Sequence, residues 1–218
     1  MKRISSWVLA GTGILLAGLA VDMAWAQGGA HPATASGVPA LAPDKKTLSI
    51  RRMPKLGKVK QPTPLYNTSA TRSSPGRPHE WAVFEVIYDT SPEWLDEVVV
   101  TYYLMAERRS DKKEFTYYQT TVRYTDVARG EHTACVALPP AALLRNGDQF
   151  VGFAVEISGG DGTLLDVKNE VQGAPLPTEW WKKPEVTENK SVVKREGLVD
   201  RSKTPFGLVN IDDYEVVK

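Results

Sequence analysis

The sequence predicts an all-β fold, an antiparallel immunoglobulin-like β-sandwich of about seven strands with a short helix in one connection. Three observations predict it. Runs of β-branched and aromatic residues recur along residues 47–171, several of them alternating in polarity. Gly, Pro, Asn and Asp separate those runs. No long stretch carries the 3.6-residue period of an amphipathic helix. A small barrel is the alternative that the same pattern allows.

The first strand is TLSIRRM, Thr47 to Met53, and Pro54, Pro62 and Pro64 punctuate the basic segment after it. Asn67 to Pro78 is rich in Ser, Gly and Pro and reads as a loop. HEWAVFEVIYD, residues 79–89, is the next strand, with Glu85 marking its wetter face. TSPEW, residues 90–94, reads as a turn, because Pro92 donates no ladder bond. In the strand from Glu97 to Arg108, Val98, Val100, Tyr102, Leu104 and Ala106 share one face and are uniformly apolar, so they point at the core. A polar hairpin loop, RSDKKE, leads to the return strand, Phe115 to Asp126. VARGE, residues 127–131, reads as another turn, with Gly130 free to adopt positive φ. HTACVAL, residues 132–138, is a short strand. In residues 139–148, Pro139 and Pro140 suit a helix start, and Asn146 and Gly147 suit its end. QFVGFAVEIS, residues 149–158, and LLDVKNEV, residues 164–171, flank the hairpin signal GGDGT.

Outside this domain, residues 47–173, the chain changes character. Residues 1–26 have the form of a cleaved signal peptide. Lys2 and Arg3 precede an apolar run from Trp7 to Val21, and Ala24 and Ala26 place the cut before Gln27. No cysteine near that cut offers a lipid anchor, and no prepilin start motif is present. Residues 27–46 have the composition of a flexible linker. The expected location is therefore outside the cytoplasm, in the periplasm or at the outer membrane and cell surface. Residues 174–218 read as an extended docking segment. They balance their charges, yet Trp180, Trp181, Phe206, Leu208, Val209, Ile211 and Tyr214 are unfavourable in water. Such a segment would bury them on its own domain, a second copy or another protein, and NIDDYEVV suits strand addition at a sheet edge.

Charge is unevenly placed. The whole chain is net +1. Residues 27–79 hold nine bases and the single acid Asp44, whereas 80–218 hold sixteen bases and twenty-four acids. A basic arm of this kind fits an anionic partner: lipid headgroups, a glycan or the protein's own acidic body. A solvated arm without a partner is equally compatible with the composition. Export argues against nucleic acid.

Chemistry-bearing patterns are sparse. His31, His79 and His132 stand apart at no metal-ligand spacing, and neither HExxH nor CxxC occurs. No GxSxG elbow, GxGxxG turn or P-loop is present. Gly159, Gly160 and Gly162 lie between strands, where they make a hairpin and not a phosphate cradle. Glu93, Asp96 and Glu97 cluster at a turn, as solvated carboxylates do. Asp161 and Asp166 lack the remainder of a calcium loop. Cys135, the single cysteine, sits among strand residues and suits core packing. The expectation is a protein without catalytic, metal or cofactor sites. Its candidate partner contacts are Tyr103, Tyr117 and Tyr118 on paired strands, and Trp180, Trp181, Phe206, Leu208, Ile211 and Tyr214 in the tail.

The elements RRMPKLG, EWAVFEVIYDT, WLDEVVVTYYL, PPAALLRNGD and RSKTPFGLV resemble a family of exported immunoglobulin-like proteins of Verrucomicrobia, encoded beside type IV pilus-like genes. The resemblance spans nearly all of the chain after residue 26 and its motifs are structural. It implies a sandwich related to pilin head domains, self-association with a trimer as one form, and envelope or pilus-like proteins as partners. It supplies no catalytic residue. The missing prepilin site departs from a true pilin. The resulting expectation is an exported, non-catalytic accessory of a pilus-like or secretion assembly. The competing expectations are a carbohydrate-binding module using exposed tyrosines and a small hydrolase.

Overall fold

A computed structural model describes residues 46–65, 79–108, 114–173 and 175–218. The signal peptide and nearly all of the linker lie outside the described residues. Eight strands form one mostly antiparallel, sandwich-like sheet: β1 (Leu48–Arg52), β2 (Lys60–Pro62), β3 (Glu80–Glu107), β4 (Phe115–Leu138), β5 (Gln149–Gly159), β6 (Leu164–Val171), β7 (Val192–Arg195) and β8 (Val199–Asp200). Helix α1 (Pro140–Asn146) joins β4 to β5, and the single turn α2 (Pro184–Thr187) lies in the tail. The central strand order is β6-β5-β3-β4-β7. Strands β1 and β2 share the other edge of β3 with β5, and β8 adds to the far end of β4.

Strands β3 and β4 form a hairpin 28 and 24 residues long. The turns expected at 90–94 and 127–131 are corrected here. Both stretches are irregularities inside continuous strands, not ends of strands. Thr90 pairs with Gly130 and Trp94 with Ala128, so residues 91–93 stand opposite the single residue Arg129 and bulge out. Pro92 falls in that bulge, where no ladder donor is needed. Opposite it, Asp126 (φ 56°) and Gly130 (φ 136°) take left-handed backbone and bend β4 at the same level. Pro and Gly mark a bulge and a turn with the same signal; only the pairing partner tells them apart.

The bend brings the two halves of the hairpin face to face. Phe84, from the first half, stacks on Phe153 of β5 at 5.0 Å and meets Phe150 edge-on at 5.1 Å. Phe153 itself pairs with Leu104 in the second half. Val98, Val100, Tyr102, Leu104 and Ala106 are all buried in this core, as their alternation predicts. The seam between β1 and β6 is closed by side chains. Asp166 accepts from the Ile50 N–H at 2.7 Å and from Lys46 Nζ at 2.6 Å, and Lys168 Nζ donates to the Ile50 carbonyl at 2.5 Å. Polar side chains thus satisfy both backbone groups of Ile50 in the middle of β1, which blunts an edge that would otherwise pair with another chain. Three bases of the basic arm are used internally, Lys46 on Asp166, Arg51 on Asp89 and Lys60 on Asp148.

The stacked phenylalanines hold the halves together, so Phe153→Ala is expected to remove about 3–5 kcal/mol of stability. Urea unfolding checks this; a loss below about 1 kcal/mol would place the closure of the sandwich elsewhere.

Candidate functional site

Both faces of the hairpin's second half are apolar, because Tyr103, Met105 and Tyr117 face away from the main core. The C-terminal segment covers this outer face. Trp180 and Trp181 are buried on Met105, Tyr117, Val151 and Ala154. Gly152 makes room for them: a Cβ there would lie 2.6 Å from Leu176 Cδ1 and 3.0 Å from the Trp180 ring. Trp180 meets Tyr117 edge-on at 6.3 Å, and Trp181 stacks on Tyr103 at 6.1 Å.

One carboxylate organises the contact. Glu156 accepts from Tyr103 Oη at 3.0 Å, Trp181 Nε1 at 3.1 Å and Lys182 Nζ at 2.7 Å. Partial burial raises its pKa, but those hydrogen bonds favour the charged form and outweigh burial, leaving the carboxyl below its ordinary range. Burial raises the Tyr117 hydroxyl, with Glu156 adding to the effect, to about 12.

Beyond the tryptophans the chain adds two strands to β4. β7 pairs in parallel with residues 115–118, and β8 pairs antiparallel with Val136 and Ala137. Thr204 then accepts from the Phe206 N–H at 3.2 Å and caps a 3₁₀ turn, Pro205–Leu208. Phe206 is buried against Val83, Cys135 and Ala137 and meets Trp81 edge-on at 6.1 Å. The Arg201 guanidinium lies 3.5 Å over the Tyr214 ring, whose hydroxyl donates to Glu85 at 2.6 Å. The last residues return to β4: Val217 bridges Tyr124, and the Lys218 N–H donates to the Arg123 carbonyl at 2.9 Å.

His132 latches this end. Its Nδ1 faces the Glu215 carboxylate, and Nε2 lies 2.7 Å from the Ala128 carbonyl and 3.2 Å from Thr90 Oγ1. Burial lowers the His132 pKa, but Glu215, the Ala128 carbonyl and Asp89 together raise it above its ordinary value.

The candidate contacts therefore separate into two groups. Tyr117, Tyr118, Trp180, Trp181 and Phe206 are buried by the chain itself, and Tyr103 and Tyr214 are half-buried in the contacts just described. The expectation that Tyr117 or Tyr118 is exposed is corrected: Tyr118 faces the main core, and the tail covers Tyr117. Leu208 and Ile211 remain in solvent, 74% and 61% exposed, with Val216 beside them in the chain at 71%. Ile211 and Val216 line a cavity of about 250 Å³ between the tail and β4, floored by Tyr124 and Cys135. Strand addition by residues 210–217 is limited to one bridge, because residues 211–213 turn as a 3₁₀ helix. Burial raises the Cys135 thiol pKa and keeps it protonated. Among the described residues no group of three or more His, Cys, Asp or Glu is placed to hold a metal ion.

Fold and site together define an all-β sandwich sealed by its own C-terminal segment. A family model matches residues 48–218 of this chain, and the chain belongs to that family. A crystal structure from Akkermansia muciniphila, a member of the Verrucomicrobia, is similar in fold, with a TM-score of 0.62 at 17% identity. The similarity covers 78% of this chain and 92% of that one. No relative among the curated proteins matches. Among the described residues no helix is long and apolar enough to cross a membrane.

Two measurements test the covering segment. Gly152→Val is expected to push Trp180 off the sheet and shift tryptophan emission to the red, while Gly57→Val, on an exposed turn, leaves it unchanged. The two polar contacts respond to pH in opposite directions. Glu156, with a lowered pKa, stabilises above the unfolded value of about 4.3 and loses that contribution as pH falls through its folded pKa. His132, with a raised pKa, contributes fully below about 6.5 and loses its contribution as pH rises through its folded pKa. Raising the pH above that point is expected to speed amide exchange at Lys218, after correction for the intrinsic rate. His132→Gln would remove this pH dependence; an unchanged profile would show that the latch does not hold the end.

Proposed function

We propose that the protein is an exported, non-catalytic envelope protein that binds other proteins, as an accessory of a type IV pilus-like or secretion assembly. The observation that carries this reading is the exposed set Leu208, Ile211 and Val216. Each sits in a segment anchored to the sheet on both sides, by Phe206 on one and by Tyr214 and Val217 on the other. Exposed apolar side chains grouped on an ordered surface mark protein contacts, and Ile211 and Val216 share the rim of one cavity. Burying three such side chains would contribute roughly 1.5–3 kcal/mol each. The signal-peptide pattern of residues 1–26 supports export, and the resemblance to pilus-associated proteins supports the kind of assembly. The partner is another envelope or pilus-like protein, a further copy of this chain included. A carbohydrate platform has less support, because Trp180 and Trp181 already occupy the tyrosine face.

A photo-crosslinking side chain at Ile211, in the full chain expressed in its own cell envelope, tests this. A discrete crosslinked protein is expected from position 211 and not from Leu144, which is still more open to solvent on α1. Identical patterns from both positions would overturn the reading. Ile211→Asp is expected to abolish the adduct made from position 208 with less than about 0.5 kcal/mol change in stability, as for surface substitutions generally.

A further inference from the structure

The basic segment from Lys46 to Lys60 has a second feature. Its bases divide into two sets. Lys46, Arg51 and Lys60 each hold a carboxylate of the domain. Arg52, Lys55 and Lys58 form no ion pair among the described residues, and all three are exposed. They line one pocket of about 270 Å³. The local fold puts them there. The register of β1 shifts between Ile50 and Arg52, and Pro54 ends the strand. A 3₁₀ turn, Leu56–Lys58, then reverses the chain, its Lys58 N–H donating to the Lys55 carbonyl at 2.8 Å. Leu56 and Val59 are buried and fix the turn to the core, so the two lysines start from an anchored backbone.

The opposite wall is formed by β3 and carries Val83 and Glu85. One oxygen of Glu85 accepts from Tyr214 at 2.6 Å. A carboxylate has about four acceptor positions, so Glu85 retains capacity toward the pocket. Gln61 adds an amide between the two walls. A simple polyanion would meet three cations and one repelling carboxylate here. A ligand with a phosphate and a primary ammonium would satisfy both walls, the phosphate on Arg52, Lys55 and Lys58 and the ammonium on Glu85.

We infer that this pocket binds a zwitterionic phospho-amine of the phosphoethanolamine type. The pocket shares no lining residue with the cavity beside Ile211 and Val216, and the Glu85–Tyr214 hydrogen bond links the two; the inference does not depend on what binds at Ile211. Free phosphoethanolamine units and membrane headgroups share this chemistry. The volume of about 270 Å³ accommodates one such group.

Calorimetric titration of the full chain with O-phosphoethanolamine at low ionic strength tests the inference. Saturable binding is expected, with inorganic phosphate and phosphocholine each at least about tenfold weaker, the first for want of an ammonium and the second for want of N–H donors. Lys55→Gln with Lys58→Gln is expected to weaken binding at least about tenfold. Glu85→Gln keeps an acceptor for Tyr214 and is expected to reverse the preference toward inorganic phosphate. Flotation on phosphatidylcholine vesicles with and without phosphatidylethanolamine separates the sources. A difference abolished by the lysine double variant points to a membrane headgroup; soluble binding without that difference points to a free or glycan-linked group. No saturable O-phosphoethanolamine binding, or binding unchanged in the lysine and Glu85 variants, would overturn the inference.

Discussion

The pairing of β3 with β4 is the constraint on which the rest of the structure depends. Every strand except β6 attaches to one of these two, and β6 attaches through β5. A hairpin of this length cannot stay flat. Strand twist accumulates along it, and a sheet with apolar side chains on both faces has to bury both. The bulge at residues 91–93 and the left-handed residues of β4 supply the bend. Phe84 can then reach Phe153, although they lie on different segments of the edge. Antiparallel pairing of neighbouring segments makes the hairpin itself local in the chain, and the later strands add to an existing template.

Bending solves the burial problem for one face only. Met105, Tyr117 and Ala154 face the other way and would stay wet without the tail. Trp180 and Trp181 are large enough to cover them. Glu156 then sets their orientation, since its hydrogen bonds come from one residue of the sheet and two of the tail. Charge follows the same division between sheet and added segment. The bases before β3 are drawn to acids in or next to the later strands, Asp89 in β3, Asp148 just before β5 and Asp166 in β6. The arm's asymmetry is thus partly internal, and only the remaining bases are open to an external anion.

What was legible in the sequence was whatever depends on short-range alternation. Val98 to Ala106 face the core as their period requires, and α1 starts at Pro140 and ends before Gly147 as its Pro and Gly signals predict. Pro92 and Gly130 were legible as interruptions but not as bulges, because both features rest on the same backbone chemistry. The tyrosines show a different difficulty. Tyr117 and Tyr118 point to opposite faces, so alternation alone exposes one of them; both are buried because a distant segment covers the second face. Nothing local to that strand signals this. Glu156 within VGFAVEIS was the available hint, a lone acid in an apolar strand that needs donors from elsewhere.

The tail's exposed residues follow from how the tail is held. Short 3₁₀ turns have poor hydrogen-bond geometry and depend on anchors. Here the anchors are closely spaced: the Thr204 cap, buried Phe206, and Arg201 bonded to the Val209 carbonyl and lying over Tyr214. Leu208 and Ile211 lie between these anchors, so their backbone is fixed even though their side chains are in water. A segment that only sealed the sheet would be complete with its tryptophans and Phe206, and polar residues would serve between the anchors. Apolar side chains on an ordered backbone are instead suited to association, because much of the ordering entropy is already lost in the free protein. The same anchors that close the sandwich therefore preorganise the surface that remains outside it.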